Sequence, residues 1–341
     1  MSPSGSTSTL EARFTRFIET LPNAEIVDRL QLPSDQSRRR KADFLLSNRE
    51  VIVELKTLTD DTSHKVDSMA DKHRDREDFP LFYGKADVHK VLSHLPDGED
   101  IYRRMVWSLT RSVEDCVRSA EEQITHTRSV LKLPNAAGLL VILNESVRIL
   151  DPGLVGHRVA QLMRRERTGN SDSEKVDFAW LLFESHSLGT VNGIPAMTSM
   201  LIRGERANYM PWFMSFHQDL VARWASANNG VIVDGGSPDP AMLRFQSTED
   251  LTTPPPTQLA RHEVWRRQYR ERPYLRAISD EGVLTRGADI LKRLAPHFLK
   301  DGPGYIPERD NPLMEEFTHF LEEAGFRALD LRAMPKFDLS R

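Results

Sequence analysis

The sequence predicts an α/β fold: a core built on a mixed sheet, interrupted by a charged helical insertion and followed by a mainly helical C-terminal region. Three observations lead there. Two short apolar runs, Ala42 to Leu46 and Val51 to Leu55, flank the polar stretch Ser47-Asn48-Arg49-Glu50 and read as a β-hairpin. Apolar residues at helical spacing occur before the hairpin (Leu10, Phe14, Phe17, Ile18, Leu21) and well after it (Val113, Val117, Ala120, Ile124, Thr127, Leu131). Ala136 to Leu143 is then a continuous apolar run, short enough for a buried strand.

The elements follow in order. Residues 1–8 are rich in Ser, Thr, Gly and Pro and read as a disordered tail. A helix starts near Thr9 and is ended by Pro22-Asn23. Within it Glu11 precedes Phe14 by three residues and Ile18 by seven, so it leans toward the packed side, whereas Glu19 is better placed for solvent. Glu25 to Leu32 reads as a strand, and a turn after it carries four consecutive basic residues, Arg38 to Lys41. Such a run is either solvated surface or, beside a carboxylate site, an offset for a phosphate backbone.

After the hairpin, residues 59–109 form an insertion dense in alternating charge, which predicts exposed helix. Its histidines lack a tight metal-ligand spacing: His89 and His94 are five apart, His64 and His73 nine. A lid or a substrate clamp are the roles open to it. Thr110 to Leu133 is a long helix stopped by Pro134-Asn135, and the last core strand is expected to cross over it and join the sheet beside the first strand. This core covers residues 9–145. Residues 146–250 extend the sheet, with a helix from Leu154 to Arg167, strands at Phe178 to Phe183 and Ala196 to Ile202, an aromatic helix from Trp212 to Trp224, and a further strand at Val231 to Val233.

Residues 251–341 form the C-terminal region, introduced by the spacer Thr252 to Pro256. Arg261 to Arg276 interleaves basic residues with Trp265, Tyr269 and Tyr274. That pattern serves either a nucleic-acid surface or an amphipathic helix whose aromatics pack inward while arginines reach outward. The final helix runs from Pro312 to Ala324, with Gly325 as its stop.

Composition bounds the class. A length of 341 residues suggests roughly two domains, and 39% hydrophobic with 28% charged residues fits a soluble globular chain. A net charge of −4 announces no global basic field, though a local basic groove is enough for phosphate contacts. The one cysteine, Cys116, excludes an internal disulfide framework and reads as a buried thiol on a helix. The N-terminus lacks an apolar signal region and no apolar run is long enough to cross a bilayer, so the expected location is cytoplasmic, with no membrane partner. Glu184-Ser185-His186 lacks a G-x-S-x-G elbow, and no phosphate-binding glycine loop is present.

The chemistry sits in the hairpin. Asp43, Glu54 and Lys56 interrupt apolar runs, where charges are tolerated when paired or bound to metal. Residues two apart in a strand share a face, so Glu54 and Lys56 point the same way and the hairpin brings Asp43 beside them. Two carboxylates there suit Mg2+ or Mn2+, and the lysine can orient a water or neutralise phosphate charge. The plain alternative is an edge strand with an exposed Glu-Lys pair.

Asp43, ten intervening residues, then Glu54-Leu55-Lys56 resembles the core of the PD-(D/E)xK nuclease superfamily, the restriction-endonuclease-like fold. The element order over residues 9–145 matches that family's αβββαβ core. Ala42 stands where the first motif often has proline, a departure that touches no ligand. The resemblance implies a metal-dependent nuclease hydrolysing phosphodiester bonds in DNA, with Mg2+ or Mn2+ held by Asp43, Glu54 and the Leu55 carbonyl and assisted by Glu11 from the first helix. It places Lys56 at the attacking water. It sets Gln123 on the long helix near the site, in contact with nucleic acid or water; an exposed Gln in a charged helix is the alternative. Restriction, phage defence and repair are all compatible, and a homodimer or a partner subunit fits the family. The competing reading is a catalytically inactive nuclease-fold protein that binds nucleic acid or serves in an assembly.

Overall fold

The computed structural model describes residues 8–31, 40–61, 68, 72–73, 76–81, 88–164, 176–191, 194–228, 245–248, 261–298, 304 and 306–336. Most of the expected turn (33–39), the end of the expected strand at 32, the spacer at 252–256, the strand at 231–233 and most of the N-terminal tail lie outside them. In chain order the first elements are α1 (Leu10–Glu19), β1 (Glu25–Ile26), β2 (Phe44–Leu46), β3 (Val51–Thr57), α2 (Val88–Leu92), α3 (Gly98–Leu109), α4 (Arg111–Leu131) and β4 (Ala137–Asn144). Next come α5 (Pro152–Met163), β5 (Phe178–Phe183), β6 (His186–Ser187), β7 (Thr190–Val191), β8 (Ile194–Pro195), β9 (Thr198–Arg203), α6 (Trp212–Ala227) and β10 (Gln246–Ser247). Helices α7 (Arg261–Glu271), α8 (Asp280–Leu294) and α9 (Pro307–Arg327) complete the series. The chain divides into two compact units: Met1–His64 with Ser108–Thr253, and Lys65–Trp107 with Pro254–Arg341.

The first unit is α/β, with a six-stranded sheet in the order β1-β2-β3-β4-β5-β9. Strands β3, β4 and β5 run parallel and the outer pairings are antiparallel, so the sheet is mixed. The last core strand does not join beside the first, as the sequence led us to expect. It pairs with β3, in a register that sets Glu54 against Leu140 and Lys56 against Ile142. Both strands are apolar and buried over most of their length, which places them at the sheet centre. The predicted strand from Glu25 shrinks to two residues: the Val27 N–H still bonds the Asp43 carbonyl at 2.9 Å, in register with β2, but residues Val27–Arg29 turn into a 3-10 helix. The hairpin turn is where it was expected. Ser47, Asn48 and Arg49 all take the left-handed conformation there, and Arg49 is anchored by two bonds to Glu25 at 2.7 and 2.6 Å.

Alternation of side chains splits the sheet into two faces. One carries Val51, Val53, Leu139, Val141, Phe178 and Trp180, and is covered by α1 through Leu10, Phe14, Phe17 and Ile18 and by α6 through Phe213, Leu220 and Trp224. Phe14 meets Trp180 and Trp224 at 5.6 and 5.3 Å between ring centres. Truncating a wholly buried ring of this kind costs about 3–5 kcal/mol. On the other face lie α4, against β3 and β4, and α5, whose Gly156 lets it approach Leu181, Met200 and Ile202.

A buried ion pair ties α4 to the sheet. The Arg128 guanidinium bonds the Asp177 carboxylate, which also accepts the Gly138 N–H at 2.7 Å, while Arg128 Nε reaches the Ala136 carbonyl at 3.1 Å. Gly138 is required here: a Cβ would come within 2.8 Å of the guanidinium.

In the second unit the insertion and the C-terminal region pack together, although the sequence reading kept them separate. Leu92, Leu95, Ile101 and Met105 form a small apolar cluster. The larger core holds Tyr269, Val283, Ile290, Leu294 and Phe320, with the Phe320 ring seated on Gly287. Long-range bonds join the two segments: Leu331 N–H to the Leu81 carbonyl at 2.6 Å, and His94 Nε2 to the Ala328 carbonyl at 2.8 Å. Contacts this distant in sequence leave no periodic signal. The α7 arginines pair with acids, Arg266 with Glu263 at 2.6 Å and Arg270 with Glu322 at 2.5 Å, while Tyr269 is buried against Glu323. Of the three aromatics in this stretch Tyr269 packs inward, Trp265 is half-buried and Tyr274, beyond the helix, is 47% exposed, so the inward-packed reading describes Tyr269 alone. The last helix runs past Gly325 and ends at Ala328, which takes the left-handed cap conformation with φ of 55°.

Candidate functional site

Strand β3 is buried from Val51 to Glu54 and opens toward solvent from Leu55 onward. Glu54 is 1% exposed. It shares the α4 face of the sheet with Lys56, whose Nζ lies 2.5 Å from Glu54 Oε1 and 2.9 Å from Gln123 Oε1 on α4. Asp43 immediately precedes β2. Its N–H donates to the Val53 carbonyl at 3.0 Å and its Oδ2 accepts the Leu55 N–H at 2.7 Å. Asp43 thus takes hold of the residues on both sides of Glu54. The Leu55 N–H is directed at Asp43, on the β2 edge of the strand, and in an extended strand the carbonyl of the same residue leaves along the same edge. The structure therefore brings Asp43, Glu54, the Leu55 carbonyl, Lys56 and Gln123 together.

Electrostatics sharpen the picture. Burial pushes the Glu54 carboxyl up to about 8, the negative charge of Asp43 pushes it further in the same direction, and Lys56 pulls it back. Asp43 is also raised, first by burial and to a lesser degree by Asp28; the Leu55 N–H and Lys56 oppose this. Glu54 Oε2 is buried and no N–H or hydroxyl reaches it, while a proton shared between Glu54 and Asp43 raises the pKa of the first and lowers that of the second. Two carboxylates this close in a dry setting are stable when they share a proton or a cation. An oxygen pair with one atom that no N–H or hydroxyl reaches, a backbone carbonyl on the same edge and an ammonium beside it fits a hard divalent ion such as Mg2+ or Mn2+.

Glu11 is placed differently. It is exposed, not turned to the packed side, and its carboxylate accepts the Thr57 hydroxyl at 2.7 Å. Thr57 alternates with Lys56, so Glu11 belongs to the α1 face. The reason is helical geometry: Glu11 follows buried Leu10 by one residue, a rotation of about 100° out of the apolar stripe. Among the described residues no three His, Cys, Asp or Glu side chains gather as a metal site, so Glu11 does not join Asp43 and Glu54 here.

Gln123 is buried, not an exposed member of a charged helix. Its Oε1 also accepts the Ser119 hydroxyl at 2.7 Å, and its Nε2 donates to the Lys41 carbonyl at 2.9 Å. One turn on, Thr127 Oγ1 accepts the Ala42 N–H at 2.9 Å. Ser119 and Thr127 were not singled out as site residues from the sequence. The available signal was a polar stripe, Ser119, Gln123, Thr127, at four-residue spacing on a helix that is otherwise apolar on that side. Cys116 continues this stripe. It is only partly buried, and burial pushes its thiol up to about 11 against the opposing pull of Lys56.

Asp28 and Lys41 also border the site without having been marked for it. Lys41 Nζ stands 3.6 Å from Asp28 Oδ1. Of the basic run, Arg40 is exposed and Lys41 mostly covered, while Arg38 and Arg39 lie outside the described residues. Ser185 and His186 bond each other at 3.0 Å, both of them buried. Comparison with protein-family models, with curated proteins and with solved structures finds no match to this chain.

Proposed function

We propose that the chain is a metal-dependent nuclease of the PD-(D/E)xK type that hydrolyses phosphodiester bonds in DNA, with Mg2+ or Mn2+ held by Asp43, Glu54 and the Leu55 carbonyl. The single observation that carries this reading is the convergence of Asp43, Glu54 and Lys56 at the opening end of β3, with Glu54 Oε2 buried and reached by no N–H or hydroxyl. When bound, the cation supplies a Lewis acid for a phosphate oxygen and lowers the pKa of a nearby water. The rest is the work of the chain. Asp43 and Glu54 provide the negative charge that selects a cation. Lys56 has three N–H donors, of which Glu54 and Gln123 take two; the third is assigned to the attacking water or a phosphate oxygen, where the ammonium offsets developing negative charge. Gln123 fixes the lysine, since its own polar atoms are turned to Lys56, Ser119 and Lys41.

A second reading is a protein of the same fold that binds nucleic acid, or joins an assembly, without cutting. The observation favouring it is that only two acidic side chains converge among the described residues. One experiment separates the two: incubation with single-stranded, double-stranded and branched DNA and with RNA, each with Mg2+, Mn2+ or EDTA. The nuclease cuts DNA with metal and not with EDTA, and Asp43→Ala, Glu54→Ala and Lys56→Ala each slow it by at least about a hundredfold with an unchanged circular dichroism spectrum. Binding without cleavage in every arm selects the second reading. A Lys56→Ala protein that cuts at the wild-type rate refutes the first.

A further inference from the structure

The Lys41–Ala42 peptide unit lies one step before Asp43, and both of its polar groups are held from helix α4 rather than by the sheet. The Lys41 carbonyl accepts Gln123 Nε2 at 2.9 Å, and the Ala42 N–H donates to Thr127 Oγ1 at 2.9 Å. Thr127 is 1% exposed and Ala42 is equally covered. The Ala42 N–H is therefore a buried donor whose partner is a hydroxyl, and a donor left without one costs about 1–3 kcal/mol. The strand proper begins only at Phe44. Between α4 and that first strand residue stands Asp43, whose carboxylate must reach the Leu55 N–H at 2.7 Å.

We propose that Thr127 is a positioning residue: by fixing the Ala42 peptide it sets where the Asp43 carboxylate lies, and so sets the cation affinity of the Asp43–Glu54 pair. Thr127 touches neither carboxylate, and its effect passes through one backbone bond. The cation clause rests on the nuclease reading; the placement of Asp43 does not. A hydroxyl suits this task because it accepts the N–H while a helical threonine is stiff at χ1, so its oxygen has few places to go. Valine has nearly the same shape and no acceptor.

The test uses the full chain, with two readouts. In the metal-free protein, amide hydrogen exchange at Leu55 is followed by NMR, because that N–H is protected by the Asp43 carboxylate. Thr127→Val is expected to speed exchange at Leu55 by at least about tenfold, with Val141 in β4 unaffected. Thr127→Ser, which keeps the oxygen, restores protection. Thr127→Ala replaces the valine variant if that one does not fold. A general loss of stability is controlled by Val155→Ala on α5, which leaves Leu55 exchange at its wild-type rate relative to Val141. Titration with Mn2+ is the second readout: Thr127→Val lowers affinity by about 10–100-fold, as loss of an outer-sphere partner does, and Thr127→Ser recovers it. Leu55 exchange that is unchanged in Thr127→Val, or equally raised in Val155→Ala, overturns the proposal. Should the wild type bind Mn2+ no better than Asp43→Asn, the nuclease reading falls and the Leu55 exchange alone decides the role of Thr127.

Discussion

Asp43 encloses Glu54: its backbone N–H holds the Val53 carbonyl at 3.0 Å and its carboxylate holds the Leu55 N–H at 2.7 Å. These bonds fix the Asp43 carboxylate beside the Glu54 backbone, so the repulsion between the two carboxylates follows from the strand pairing. Asp43→Asn keeps an oxygen for the Leu55 N–H and removes the charge. Glu54 then titrates below the wild-type value of about 8, yet stays above the ordinary carboxylate range, because burial is the larger of the two causes and is untouched. Carbon-13 NMR of the Glu54 carboxyl measures this. A titration that does not move shows that Asp43 exerts no field on Glu54.

The same raised carboxyl fixes a pH dependence. Its folded pKa of about 8 lies above the unfolded value of 4.5, so its stabilising contribution is complete below 4.5 and is lost as pH rises through 8. The metal-free protein accordingly loses stability relative to Glu54→Gln between pH 4.5 and 8. Mg2+ or Mn2+ reverses this most strongly at pH 8 and above, where no proton competes for Glu54, by about 2.7 kcal/mol at a hundred times the dissociation constant. Melting temperatures of both proteins across this range, with metal and with EDTA, provide the check. Equal metal stabilisation of wild type and Glu54→Gln argues against cation binding at this pair.

Much of the site was readable because its signal is local. Asp43, Glu54 and Lys56 break apolar runs, and a hairpin of known turn length leaves little freedom in how they meet. The α/β class followed from runs of the right length and period. What escaped was whatever depends on long-range packing. The Glu11 placement turned on a single step of about 100° around a helix, which apolar spacing does not resolve near the stripe's edge. Strand β4 lies between β3 and β5 while β1 stays at the sheet edge beside β2, an order that no periodicity records. Helix α8 fell inside the region read as mainly helical but was not delimited, although Ser279 caps it at Gly282 N–H and Asp280 and Glu281 fill its first turn. Thr127 counted as one more member of an apolar stripe, and its hydroxyl became meaningful only once Ala42 was seen beside it.

The Arg128–Asp177 pair allows a prediction about stability. Both side chains are buried, and Asp177 also holds the Gly138 N–H at 2.7 Å, so the carboxylate serves α4 and β4 together. Asp177→Ala strands a guanidinium and an amide in the interior at a cost of about 3–5 kcal/mol. Asp177→Ala with Arg128→Met removes the more deeply buried of the two guanidinium charges left behind, that of Arg206 at 3.5 Å remaining, and regains part of that loss. Urea unfolding of the two single variants and the double variant closes the cycle. Strictly additive losses mean that the two residues do not act as a pair.

His217 sets a second pH dependence, opposite in sign to that of Glu54. It lies in the α6 face of the core, edge-on to Trp180 at 5.2 Å between ring centres, and its Nε2 is buried without a partner. Burial alone lowers its pKa to about 4. The folded state refuses a proton that the unfolded chain accepts below 6.5, so stability is lost as pH falls from 6.5 to about 4 and the loss levels off below that. The total is on the order of 3 kcal/mol. His217→Phe keeps a ring of similar shape, changes stability at pH 7 by less than about 1.5 kcal/mol, and removes this loss. Glu54 gains stability over part of the same range, and His186, also lowered by burial, adds a smaller loss of its own, so the difference between wild type and variant is the quantity to follow. Urea midpoints at pH 7, 6, 5 and 4 supply it. A difference that stays constant from pH 7 to pH 4 means that His217 accepts its proton inside the fold and is not sealed in the aromatic core.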